Sequence, residues 1–433
     1  MNNNKKHLKP LLVSTPLLAT LLASSILLSA CGPTKQTEPT APSQNSQASV
    51  TATSKAILSA DEIAKKYLII DTHIDIPERL SEHFEDISVA TEKGDFDYPR
   101  AQLGGLNAPF MSIYIPSELQ VTGGSKQYAE ELIDMVENIV KKSPDKFALA
   151  FNTKDIESNF KKGLMSLPMG MENGSPIEND ITNLKHFYDR GIRYITLTHA
   201  KANQISDSSY DSNHPANGLT PFGKEVVKQM NNLGIMVDIS HVSDEAFYQV
   251  MEITKTPVIA SHSSARFFTP GFERNMNDDM IKLLAKNGGV IQISFGSSFI
   301  SQNTRDYSKT YKEARSKFMA ANSVTIDSNE VKAFKKAYQL KMPYPFTSRD
   351  AVLDHFDHVV KLVGIDHVGI GSDYEGVGDS LPVGLKDVST YPFLIQGFLD
   401  RGYSEDDIQK ILSGNILRVW RAVESYSQNQ AQK

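Results

Sequence analysis

Eight short apolar runs, separated by amphipathic stretches, constrain this chain more than any other feature. They lie at residues 67–73, 110–115, 164–171, 193–198, 236–240, 257–261, 289–295 and 367–372. Each is short for a helix and apolar enough to be a strand buried on both faces. Among the stretches between them, "PIENDITNLKHFYDRG" and "TPFGKEVVKQMNNLG" each end in a glycine suited to a left-handed helix cap. Strands alternating with helices predict parallel βα units, and eight such strands predict a (β/α)8, TIM-like barrel. An open doubly wound sheet is the competing architecture, but no Gly-rich dinucleotide turn follows the first run. No internal repeat of fixed period is found. The polar, Lys-rich stretch 302–345 exceeds an ordinary barrel connection and carries two helical patterns. It reads as a helical insertion between strands seven and eight, and whether it forms a lid over the mouth is left open.

Ahead of these runs the chain changes character. Lys5, Lys6 and Lys9 precede an apolar stretch from Leu11 to Ala30, and "LSAC", Leu28 to Cys31, resembles the bacterial lipobox. Residues 1–30 are therefore expected to be a lipoprotein signal peptide, with Cys31 lipidated; a transmembrane anchor is the competing reading. Cys31 is the only cysteine, so an intramolecular disulfide is excluded. Residues 31–57, rich in Pro, Ser, Thr, Gln and Ala, lack a hydrophobic period and read as a flexible linker. The folded domain is expected over 58–433, opening with a helix in "SADEIAKKY" capped by Ser59. This organisation places the protein in the cell envelope, lipid-anchored on a periplasmic or extracellular face. A net charge of −6 without long basic runs argues against a nucleic-acid partner.

The ends of the strands carry the chemistry, since a barrel of this kind builds its site on that rim. Strand one ends in His73 and Asp75, strand three in Glu172, strand four in His199, strand five in His241, strand six in His262 and strand eight in Asp373. One histidine at a strand end is commonly packing, but seven ionisable residues on one rim form a set. Imidazole and carboxylate are ligands that Zn²⁺ accepts where thiolate is absent. The set exceeds the needs of one tetrahedral ion. A carboxylate bridging two ions accounts for the surplus, with Glu172 as its natural candidate. Metal-dependent hydrolysis of an amide or ester follows as the expected chemistry.

In order along the chain, "DTHID", "GMENG", "LTHA", "DISH", "SHS", Arg274-Asn275, "NGGVIQISF" and "GSDYEG" resemble the membrane (renal) dipeptidase family of zinc dipeptidases, over roughly residues 60 to 425. The resemblance implies two Zn²⁺ per chain, one held by His73, Asp75 and Glu172, the other by Glu172, His241 and His262. It implies that His199 contacts the substrate carbonyl and stabilises the oxyanion, and that Asp373 is the acid/base. Arg274, with Asn275 beside it, would bind substrate through the dipeptide carboxylate. The implied reaction is hydrolysis of a dipeptide by a metal-bridging hydroxide, with a D-residue at the second position left open, as is a homodimer.

The chain also departs from that pattern. Asn173-Gly174 stands where the family usually has Gly-Gly, "GSDYEG" replaces "GGDFDG", and Phe299 stands where some relatives have a substrate-facing tyrosine. His355 and His358, three apart on a helix, are read as structural, as are His214 and His367 in turns. Asp71, two residues before His73, is expected to orient a ligand rather than bind metal. A lactonase, deacetylase or β-lactam hydrolase could use the same constellation, and a solute-binding lipoprotein is the non-enzymatic alternative.

Overall fold

The computed structural model describes residues 58–433. The expected signal peptide, the linker and Cys31 lie outside the described residues. The ten strands are β1 (Ile70–Ile74), β2 (Ala108–Tyr114), β3 (Phe147–Leu149), β4 (Met165–Leu167), β5 (Met169–Glu172), β6 (Ile192–Thr196), β7 (Met236–Asp238), β8 (Ile259–Ser263), β9 (Val290–Ile293) and β10 (Val368–Ile370). Eight form one parallel sheet in the order β1-β2-β5-β6-β7-β8-β9-β10. The sheet curls until its edges meet: Ile74 bridges Tyr374, and Asp75 N–H donates to the Tyr374 carbonyl at 3.0 Å. This is the expected eight-stranded βα barrel.

One expected strand is corrected. The run 164–171 is two strands interrupted at Pro168, which lacks the N–H a central strand needs. Its first part, β4, pairs with β3 in a separate two-stranded sheet, and only β5 enters the barrel. Ser59 caps the Ala60–Lys66 helix in a reciprocal box with Glu62, as the sequence predicts.

Two cores flank the wall. The larger lies between the strands and the surrounding helices. The smaller fills the barrel floor with Ile70, Phe110, Tyr194, Met236, Ile259 and Val290, closed by Trp420 of the Asn415–Ala431 helix. Gly170 makes room for this plug, because a Cβ there would stand 2.0 Å from the Tyr194 ring. Apolar packing therefore closes one end of the barrel, and the polar residues are left to the other.

The insertion forms two helices, Gln302–Asn322 and Asn329–Lys341, between β9 and β10. Thr304 and Val331 are their buried residues. Aromatic contacts hold the pair together, Phe318 stacking on Phe334 at 4.5 Å and Tyr307 meeting Tyr338 at 5.9 Å.

Candidate metal centre

Strand ends bring the polar residues to one point. His73 lies on β1 and Asp75 directly after it, Glu172 ends β5, and His262 lies on β8. His199, His241 and Asp373 follow β6, β7 and β10 within three residues. Three rim residues that are not glycine have positive φ: Asn173 at 80°, His241 at 68° and Asp373 at 67°. Each such conformation costs on the order of 1 kcal/mol and collects at functional sites. Asn is the side chain best suited to that backbone after glycine, which accounts for Asn173 in place of glycine. Its amide also donates to the Ile115 carbonyl and to Gln120 Oε1 and accepts from Asn203.

Glu172 is the centre of the cluster, buried to 3% exposure. Its Oε2 lies 3.4 Å from His73 Nε2, while its Oε1 lies 3.1 Å from His241 Nε2 and 3.3 Å from His262 Nε2. His73 Nε2 is also 3.5 Å from Asp75 Oδ2, and His199 Nε2 is 3.6 Å from Glu172 Oε1. Ligand atoms lie within 4.8 Å of one another in three overlapping groups: His73, Glu172 and His262; Glu172, His199 and His241; His73, Asp75 and Asp373. All seven rim residues singled out in the sequence therefore share one cluster, with His199 and Asp373 as close as the expected ligands.

Hydrogen bonds aim the imidazoles. His73 Nδ1 meets the Tyr194 hydroxyl at 2.9 Å, leaving Nε2, which is buried without a hydrogen-bond partner, directed at the carboxylates. Behind His262 stands Asp238. It accepts from Ser240 N–H at 3.0 Å and Ser261 N–H at 2.8 Å through Oδ1, and from the Thr196 and Ser261 hydroxyls through Oδ2. Because Ser261 donates its one proton to Asp238, its oxygen accepts from His262 Nδ1–H at 2.7 Å, and the lone pair falls on Nε2. Nothing in the "VDISH" pattern singled out Asp238 for this task, since its partners come from three strands. Asp71 receives the N–H groups of His73 and Ser372 and the Tyr391 hydroxyl, so it ties β1 to the segment carrying Asp373 by their backbones.

Electrostatics show a site that demands cations. Burial, with the charges of Asp75 and Glu172, pushes the Glu78 carboxyl up to about 8. Burial likewise raises Asp373 to about 7, against the pull of His73 and Arg274. Burial and the Arg274 charge hold His241 well below the usual imidazole range, and burial and His73 do so for His262, leaving both imidazoles neutral. Carboxyls pushed toward neutrality, His241 and His262 with their Nε2 atoms facing one another at 2.8 Å, and His73 drawn to its charged form, against burial, by Tyr194, Asp75 and Glu172 are together what a divalent cation relieves. The residues present fit a metal ion on that ground.

The flanks differ in charge. Tyr114, edge-on to His199 at 4.8 Å, lies among Glu172, Glu78, Glu118 and Asp75. Tyr210, 5.7 Å from the His241 ring, lies within the fields of Arg274 and Arg305. Arg274 donates to Ser263 Oγ at 2.7 Å and the His262 carbonyl at 2.6 Å, lies 3.1 Å from His241 Nε2, and packs 5.5 Å over Phe299, the residue standing in the tyrosine position. Asn275, expected to contact substrate, is fully buried. Its amide donates to Thr269 Oγ1 and the Phe299 carbonyl and accepts from Ser264 N–H, so it shapes the wall behind Arg274. His355 is likewise enclosed, accepting from Ala265 N–H and facing the Ile300 carbonyl. Glu78, Tyr114 and Tyr210 were not singled out in the sequence; of these only Glu78, three residues after Asp75 on a helix start, had a local signal.

The membrane dipeptidase family (Peptidase family M19) model matches residues 58–433. Dipeptidase 3 of Mus musculus is 31% identical over 371 residues, which cover 84% of this chain and 66% of that protein. The chain thus spans about two thirds of the length of that relative. The crystal structure of the probable dipeptidase PvdM from Pseudomonas aeruginosa is 26% identical with a TM-score of 0.73, over 85% of this chain and 98% of that one. A metallo peptidase from Rhodobacter sphaeroides, liganded with a phosphinate mimic of the dipeptide L-Ala-D-Ala, shares the fold at 22% identity and a TM-score of 0.68, over 82% of this chain and 99% of that one.

Proposed function

Because the chain belongs to the membrane dipeptidase family, we propose that it is a metal-dependent dipeptidase with a dinuclear zinc centre. The observation that carries this reading is the division of the Glu172 carboxylate, one oxygen toward His73 and the other toward His241 and His262. A carboxylate placed between two groups of donors suits a bridge. One ion would be held by His73, Asp75 and Glu172 and the second by Glu172, His241 and His262. Bound there, zinc would supply a water of lowered pKa and a Lewis acid for the scissile carbonyl.

The protein's own residues do the rest. His199, the rim histidine with 20% side-chain exposure, faces the mouth and stabilises negative charge on the carbonyl oxygen. Asp373, whose carboxyl is raised to about 7, is poised to take a proton from the attacking water and return it to the leaving amine. Arg274 binds the dipeptide's carboxylate, while the carboxylates about Tyr114 face its ammonium group. This polarity orients a zwitterionic dipeptide across the metal pair. A D-residue at the second position belongs to this proposal, prompted by the L-Ala-D-Ala mimic carried by the Rhodobacter neighbour. So does attachment to the cell envelope through Cys31, which ends the lipobox-like "LSAC".

The test is hydrolysis of an L,L and L,D dipeptide library by zinc-loaded protein, beside lactones and N-acylated amino acids. Dipeptide cleavage that is lost with bound zinc in Glu172→Gln supports the reading. Cleavage confined to lactones or acylated amino acids contradicts it.

A further inference from the structure

Arg305 lies in the first turn of the insertion helix Gln302–Asn322, and its guanidinium carbon sits 3.3 Å from the centre of the Phe272 ring. Among the described residues no carboxylate forms an ion pair with it and its side chain makes no hydrogen bond. The one acid whose charge reaches it is the neighbouring Asp306, whose carboxylate accepts from Gln302. A cation in a helix's first turn also opposes the helix dipole. The fold thus holds a half-buried positive charge that burial disfavours and that no ion pair compensates among the described residues, with the Phe272 ring face as its contact.

Its position connects it to the site. Phe272 stacks on Phe299 at 5.9 Å, Phe299 lies beneath Arg274, and Phe272 also adjoins Tyr210 at 6.1 Å. Arg274 and Arg305 therefore flank one aromatic wall, and both charges reach the Tyr210 hydroxyl. If Arg274 takes the main-chain carboxylate of a dipeptide, the side chain of that same C-terminal residue is the group that extends along the wall.

We propose that Arg305 is a specificity residue that receives a second carboxylate, so that the enzyme prefers dipeptides with aspartate or glutamate in the C-terminal position. This rests on the dipeptidase reading and adds its substrate class. It also gives the insertion a role: it carries a second cation to a wall where the barrel itself supplies Arg274.

The experiment compares Ala-Glu with Ala-Gln, and Ala-Asp with Ala-Asn, on zinc-loaded wild type, Arg305→Gln and Arg305→Lys. The wild-type ratio of kcat/KM, acidic over neutral, is expected to be about 10- to 100-fold, the scale of a hydrogen bond to a charged group. Arg305→Gln should bring it near one, mainly through KM, and Arg305→Lys should restore part of it. A wild-type ratio near one, or equal loss on both substrates in Arg305→Gln, overturns the inference. Calorimetric binding of the same dipeptides reads the preference without turnover. Charge-selective binding that depends on Arg305 without cleavage contradicts the dipeptidase reading and keeps the subsite. Cleavage without charge preference contradicts the subsite alone, and absence of both contradicts both.

Discussion

Replacing Asp238 by asparagine should weaken metal binding although Asp238 touches no proposed ligand position. The carboxylate accepts two backbone N–H groups on Oδ1 and two hydroxyls on Oδ2. An asparagine cannot place its NH₂ on the first side, because the N–H groups of Ser240 and Ser261 cannot accept, and two buried donors would each cost about 1–3 kcal/mol. The NH₂ must then face the hydroxyls. Ser261 Oγ becomes an acceptor there and turns its proton to His262 Nδ1, so His262 carries its own proton on Nε2, where a lone pair is needed. Groups that orient metal ligands are typically worth 10- to 100-fold in affinity, or about 1.4–2.8 kcal/mol. Ser261→Ala removes the relay without imposing the wrong tautomer and should cost less. Zinc competition against a chromophoric chelator gives the affinities, and nitrogen-15 NMR of the imidazoles gives the tautomer. Wild-type affinity in Asp238→Asn, or a larger loss in Ser261→Ala, refutes the reasoning.

Other consequences are as direct. Gly376→Ala would put a Cβ 2.2 Å from Asp75 Oδ2 and 2.6 Å from Asp373 Oδ1; turnover and bound zinc should fall at least about tenfold with little change in Tm, and unchanged zinc content would contradict this. Gly170→Ala, 2.0 Å from the Tyr194 ring, should destabilise the barrel floor by about 1–3 kcal/mol or more in urea unfolding. His355 is held neutral by burial with its pKa lowered to about 4, so its contribution is present above the unfolded value near 6.5 and is lost as pH falls toward 4. Between pH 6.5 and 5 that amounts to about 2 kcal/mol. Burial of His241 and His262 acts in the same direction in metal-free protein. The difference in slope between wild type and His355→Gln therefore isolates His355, and identical slopes would contradict the assignment.

The barrel was legible because parallel strands buried on both faces leave short apolar runs, as in 68–70 and 258–260. Pro168 broke one run in a way that only the N–H requirement of a central strand explains. The rim residues were legible because each stands at a strand's end, where position along the chain already fixes the face of the barrel. Asp238 and Ser261 were not, since their meaning lies in cross-strand hydrogen bonds between β6, β7 and β8. Asn275 shows the reverse: adjacency to Arg274 suggested a substrate contact, whereas a full set of internal hydrogen bonds commits its amide to the wall. Arg305 sits in a polar, Lys-rich helix that resembles any solvated face, and only the fold brings it beside Phe272.

Diffraction from crystals of the zinc-loaded protein at the zinc absorption edge tests the central claim most directly. Two anomalous peaks are expected, about 3.5–4 Å apart, with one oxygen of Glu172 on each, His73 and Asp75 beside the first and His241 and His262 beside the second. A single peak, or two peaks not joined by Glu172, would contradict the account.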